Sequence, residues 1–100
     1  AIINDMTEEL KQIKKTIVPI LKKSDIVRSA LFGSVVRSDF NDESDIDILI
    51  EFQGRKTLFD LVGLQQELER ALNRKVDLVT YRSLYPKLRE IVEKEEVAII

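Results

Sequence analysis

The chain has 100 residues, 44% hydrophobic and 34% charged, with a net charge of −2, which suits one globular domain over 1–100 with a single core. It contains no cysteine and no histidine, so disulfides, thiolate catalysis, the usual zinc sites and histidine general-base chemistry are excluded. The slightly acidic balance supplies no global field for nucleic acid, no segment reaches the apolar length of a membrane span, and no secretory signal opens the chain, so the expected location is cytoplasmic.

Met6, Leu10, Ile13, Ile17 and Ile20/Leu21 recur at helical steps. Pro19 implies either a kink in that helix or a separate short turn over Pro19–Lys23. Ile26–Phe32 is short and apolar, a strand closed by Gly33-Ser34, and Ser34 suits the N-cap of a short helix over Val35–Asp39. Asp45–Phe52 is a second strand and Gln53–Lys56 a loop. Thr57 can cap the next helix, with Asp60 in its first turn. Leu58, Leu61, Val62, Leu68, Ala71 and Leu72 are expected on its buried side, Gly63 marks close packing within it, and Asn73 fits its end.

Lys75–Tyr81 is a third strand, with Val76, Leu78 and Thr80 on one face and Lys75, Asp77 and Val79 on the other. Ser83 can cap a last helix that tolerates Pro86 in its first turn and buries Leu84, Leu88, Ile91 and Val92. Val97–Ile100 is either a short edge strand or a tail. This order gives an α/β (α+β) class: a small mixed sheet flanked by helices. Residues 45–81 form a βαβ unit with parallel strands if those strands are neighbours, and otherwise join a differently ordered mixed sheet.

The most informative stretch runs from Gly33-Ser34 across ten residues to Asp45-Ile46-Asp47. Asp45 and Asp47 enter an apolar strand, where a buried carboxylate must be paired, neutralised or metal-bound. Strand alternation points both to one side with Cα atoms about 6.6 Å apart, a spacing that lets them converge on one cation or span a pair. Mg²⁺ usually takes one or two carboxylates plus substrate phosphates. Asp77 is a third acid, flanked by Val76 and Leu78; it either joins the pair on one sheet face, as a two-metal site and proton acceptor, or pairs with Lys75 or Arg74. Gly33 allows close backbone approach, and a helix starting at Ser34 presents free N–H groups to phosphate. Arg37 can fork onto a triphosphate or pair with Asp39 or Glu43, and Ser44 can donate to phosphate or orient Asp45.

Competing motifs fail. A calcium loop beginning at Asp39 has Ser44 where glycine is needed and Ile50 where glutamate is needed, and the Walker A pattern is absent. Tyr81 and Tyr85 read as packing groups rather than catalytic ones, although either could stack on a base.

Gly33-Ser34-x10-Asp45-x-Asp47 ahead of an apolar strand resembles the DNA polymerase β nucleotidyltransferase superfamily. The phrase Leu31-Phe32-Gly33-Ser34…Arg37…Ser44-Asp45-Ile46-Asp47-Ile48-Leu49 is most similar to its minimal nucleotidyltransferases of bacteria and archaea, over essentially the whole chain. One departure is Ser38, where the family often has glycine; serine is compatible with the same turn.

The resemblance implies the polymerase-β-like fold, nucleotide phosphates on Gly33 and Ser34, and Mg²⁺, two ions, on Asp45, Asp47 and Asp77. It implies transfer of AMP from ATP, or of NMP from another NTP, to a hydroxyl, with a tyrosine of a HEPN-domain toxin as acceptor and an antitoxin role. The alternative is a binding module that neutralises the partner by contact. Polymerases and aminoglycoside-modifying enzymes need further domains and a basic groove, so a protein acceptor is expected rather than nucleic acid, with self-association left open.

Overall fold

The computed structural model describes residues 8–33, 45–83 and 97–100. Helix α1 spans Glu8–Lys23 and buries Leu10, Ile13, Ile17 and Leu21, a stripe at steps of three and four. Glu8 and Glu9 in its first turn and Lys22 and Lys23 in its last complement the helix dipole. The helix passes through Pro19 as one element, so of the two alternatives the separate turn over Pro19–Lys23 does not form. The proline forfeits one backbone bond, but Ile17 and Leu21 flank it and are both 0% exposed. Burying two such side chains, at about 1.5–3 kcal/mol each, holds the helix together across it.

Asp25 then takes a left-handed φ of 62° and reverses the chain. Its carbonyl accepts from the Gln53 N–H at 2.8 Å, and its carboxylate accepts from Lys56 Nζ at 3.0 Å. The turn after α1 is thereby tied to the loop that leads into the second helix.

Strand β1, Ile26–Phe32, pairs antiparallel with β2, Ile46–Phe52, with Ala30 opposite Leu49 and Phe32 opposite Asp47. Strand β3, Val76–Thr80, runs parallel to β2, and β4, Val97–Ala98, pairs antiparallel with β1. The sheet order is β3-β2-β1-β4. The expected βαβ unit is present within a mixed sheet, and the last residues form an edge strand. One sheet face carries Leu31, Ile46, Ile48, Ile50, Val76 and Leu78 into the main core beneath both helices. The other carries a smaller cluster of Ala30, Leu49 and Tyr81, with Phe32 and Val79 against it.

Helix α2, Leu58–Leu72, begins in a capping box: the Asp60 N–H donates to Thr57 Oγ1 at 3.3 Å, and the Thr57 N–H donates to Asp60 Oδ2 at 2.8 Å. Asn73 closes it in the left-handed conformation, its N–H donating to the Glu69 carbonyl. Its buried stripe is Leu64 and Leu68, with Leu61 and Leu72 partly buried. Leu58, Val62 and Ala71, expected inside, are exposed. Gly63 is exposed too, and a Cβ there would meet nothing, so close packing does not explain it.

The bonds from the Thr57 backbone N–H and hydroxyl hold the Asp60 carboxyl below the usual carboxylate range. A lowered folded-state pKa stabilises fully above the unfolded value of about 3.9 and is lost as pH falls through the folded value. Asp60→Asn is therefore expected to flatten the acid side of the stability–pH curve, read as urea midpoints at pH 3 and pH 6. Thr57→Ala is expected to cost about 1 kcal/mol at neutral pH.

Candidate active site

Alternation along β2 turns Ile46, Ile48 and Ile50 toward the helices, leaving Asp47, Leu49 and Glu51 on the opposite face. Asp77 is the register partner of Asp47 on the parallel strand β3, and Val79 is the partner of Leu49. Neighbouring strands lie about 4.8 Å apart, so both carboxylates leave the same face of adjacent strands. Asp45 stands immediately before β2. Asp45 and Asp77 are exposed and Asp47 is half-buried, so burial is a weaker reason for a cation here than the sequence suggested. No ion pair joins Asp77 to Lys75 or Arg74 among the described residues.

Gly33 follows Phe32, the antiparallel partner of Asp47, and has a φ of +75°. A Cβ built on Gly33 falls onto the Asp47 carboxylate, 3.0 Å from its Cγ. The glycine therefore does two things here: it adopts a turn that side chains resist, and it leaves the space in which the carboxylate lies. Gly33, Asp47 and Asp77 thus meet across three strand ends. Ser34, Arg37 and Ser44, the other expected phosphate contacts, lie outside the described residues, as do the short helix expected over Val35–Asp39 and the buried stripe Leu84, Leu88, Ile91 and Val92 of the expected last helix.

The donor set is all oxygen, the chemistry Mg²⁺ takes. Among the described residues no three acidic side chains are gathered closely enough to hold an ion unaided. Two carboxylates with a nucleotide's phosphates suffice for Mg²⁺.

Sequence reasoning missed what sets the register. Gln65 Nε2 donates to the Val76 carbonyl and Glu69 Oε2 accepts from the Val76 N–H, each at 2.9 Å. The two are one helical turn apart, beside the buried Leu64 and Leu68, and they grip the first residue of β3 from both sides. A one-residue slip of β3 would turn Asp77 to the other face. Polar residues four apart on the edge of a buried stripe were the available signal. Glu69→Ala leaves the buried Val76 N–H without that acceptor, and a loss of about 1–3 kcal/mol is expected in chemical denaturation.

The family model described as polymerase beta, nucleotidyltransferase matches residues 15–100. A Methanocaldococcus jannaschii protein named, by inference, as a protein adenylyltransferase is 43% identical over 91 residues, 91% of this chain and 98% of that protein. The protein adenylyltransferase MntA of Thermococcus cleftensis is 36% identical over 69 residues, 69% of this chain and 70% of its own length. A solved minimal nucleotidyltransferase, so named by inference, superposes with a TM-score of 0.79 at 36% identity, covering 90% of this chain and 92% of that one. A toxin–antitoxin structure with AMP-PNP gives 0.77 at 27% identity, covering 87% and 72%. The MNT antitoxin complex with a tri-AMPylated HEPN toxin of Shewanella oneidensis gives 0.72 at 25%, covering 90% and 71%. The chain belongs to the polymerase β nucleotidyltransferase family, among its minimal members.

Proposed function

We propose that this nucleotidyltransferase is a Mg²⁺-dependent protein adenylyltransferase that moves AMP from ATP to a tyrosine hydroxyl of a HEPN-type toxin and thereby acts as its antitoxin. The observation that carries this reading is the register pair Asp47–Asp77 with the Asp47 carboxylate seated against Gly33. The names of the relatives and the AMP-PNP and AMPylated complexes among the similar structures support the nucleotide and the acceptor.

Asp45, Asp47 and Asp77 would hold the metal together with the nucleotide's phosphates. Bound there, Mg²⁺ would neutralise charge developing on the phosphoryl oxygens. Backbone N–H groups at Gly33-Ser34 hold the phosphates, and Arg37 and Ser44 add donors. The acceptor oxygen bonds to the α-phosphorus while the bond from that phosphorus to pyrophosphate breaks. The hydroxyl proton passes to the Asp77 carboxylate, since a chain without histidine leaves a carboxylate as the base.

The test uses ATP labelled at the α-phosphate, Mg²⁺ and the product of the neighbouring gene. Label is expected on that protein and is expected to disappear with Asp47→Asn. Absence of label overturns the reading. Equal neutralisation of the partner by wild type and Asp47→Asn overturns it in favour of a contact antitoxin.

A further inference from the structure

Helix α2 buries Leu64 and Leu68 against the sheet and shows three apolar side chains outside that stripe. Leu58 is 73% exposed, Phe59 88% and Val62 42%. Single exposed hydrophobics are ordinary, but three on neighbouring turns of one helix, one of them an aromatic ring almost wholly in water, form a patch of the kind that meets a partner. Gly63 stands beside them on the same helix. Glycine weakens a helix interior relative to alanine, and no packing compensates here, since a Cβ built on Gly63 meets nothing within 4 Å. A groove of about 290 Å³ opens at that point, lined on α2 by Phe59, Asp60, Gly63, Leu64 and Glu67. Residues 60, 63, 64 and 67 have the spacing of a hole that receives one side chain of a facing helix.

We infer that α2 is the interface of a homodimer, in which two copies of this chain pack antiparallel across a two-fold axis level with Leu61. Such an axis sets residue 59 of one copy against residue 63 of the other, and every contact is made twice. Phe59 of each copy enters the groove at Gly63 of the other, and the missing Cβ is the room that its ring takes. The same axis sets Arg55 opposite Glu67. Arg55 is exposed and has no ion pair among the described residues. Glu67 accepts from Lys23 Nζ through Oε2 at 2.6 Å, which leaves Oε1 to accept from a second cation. Knob, hole and both charges lie within one short stretch, so a second copy supplies what this face needs, and that self-complementarity favours it over an unrelated partner. Moving the axis between Val62 and Gly63 sets Arg55 against Arg70 instead, so charge selects the register. Both helices cover one face of the sheet while Asp47 and Asp77 leave the other, so pairing through α2 keeps the two acid faces clear.

The experiment is sedimentation equilibrium of the full chain from about 5 to about 500 µM, where mass action makes association visible. The patch is small, so wild type is expected to pass from monomer to dimer at about 10–100 µM. Phe59→Ser removes the knob and is expected to weaken association at least about tenfold. Gly63→Gln fills the hole with a better helix former; it is expected to weaken association while raising the melting temperature of the monomer. A glycine with only a structural role does not give that combination. Arg55→Glu and Glu67→Arg are each expected to weaken association, and the double variant to recover it, because the two-fold axis restores both pairs.

Wild type that stays monomeric over the whole range overturns the inference, as does Phe59→Ser associating as wild type does. A double charge variant no tighter than the single ones overturns the antiparallel pairing. A monomeric wild type that binds the product of the neighbouring gene, and loses it with Phe59→Ser, overturns the homodimer and gives the face to another protein.

Discussion

Asp47→Asn is expected to slow AMP transfer by at least about a hundredfold while leaving the melting temperature within a few degrees of wild type. The substitution keeps the shape that fits beside Gly33 and removes only the charge. A metal-held phosphoryl site draws several kcal/mol of transition-state stabilisation from that charge, and each 1.36 kcal/mol is tenfold in rate. Asp77→Asn is expected to act in the same direction with even less effect on stability, since Asp77 is exposed. If the register partners hold one ion between them, their losses will not add: the double variant should be about as slow as the worse single one. Mn²⁺ titration in the presence of a non-hydrolysable nucleotide checks this without turnover, and both variants should weaken Mn²⁺ binding. Wild-type Mn²⁺ affinity in Asp77→Asn would assign that residue to the surface and remove the third carboxylate from the site.

Among the described residues the order of elements was legible because each has a local physical cause. Ile26–Phe32 reads as a strand and is one with those bounds, and Thr57 with Asp60 reads as a cap and forms the complete box. The facing of Asp77 also followed from period-two alternation. What periodicity could not supply was rotation and register. On α2 the leucines at 58, 61, 64, 68 and 72 allow two overlapping stripes, and only packing against the sheet selects 61, 64, 68 and 72 over the face bearing Leu58 and Val62. At Pro19 the local rule allowed a kink or a separate turn, and the two buried neighbours explain why the separate turn loses.

At the site, the sequence implied that the acids belonged together because burial made them costly. The structure instead aligns Asp47 with Asp77 through β2–β3 pairing and through the Gln65–Glu69 grip on Val76, which are long-range facts. The contact of Gly33 with Asp47 is likewise invisible in a linear reading, because fourteen positions of chain separate two groups that touch.

That contact gives the sharpest test. Gly33→Ala is expected to destabilise the fold and to cost activity as well, whereas Gly54→Ala is expected to do only the first. The two glycines have nearly the same backbone, φ +75° and +74°, so alanine meets the same left-handed penalty at each, about 1–2 kcal/mol. Their surroundings differ. A Cβ at Gly54 finds nothing within 4 Å, while at Gly33 it lands on the Asp47 carboxylate. Asp47 must then swing away or the turn must shift, and a displacement of about 1 Å in a catalytic group can cost about a hundredfold in rate. Equal losses of thermal stability with activity lost only at position 33 would show that Gly33 is required for the carboxylate's position and not merely for the turn. Parallel losses of activity in both variants would trace the defect to stability and would remove Gly33 from the site.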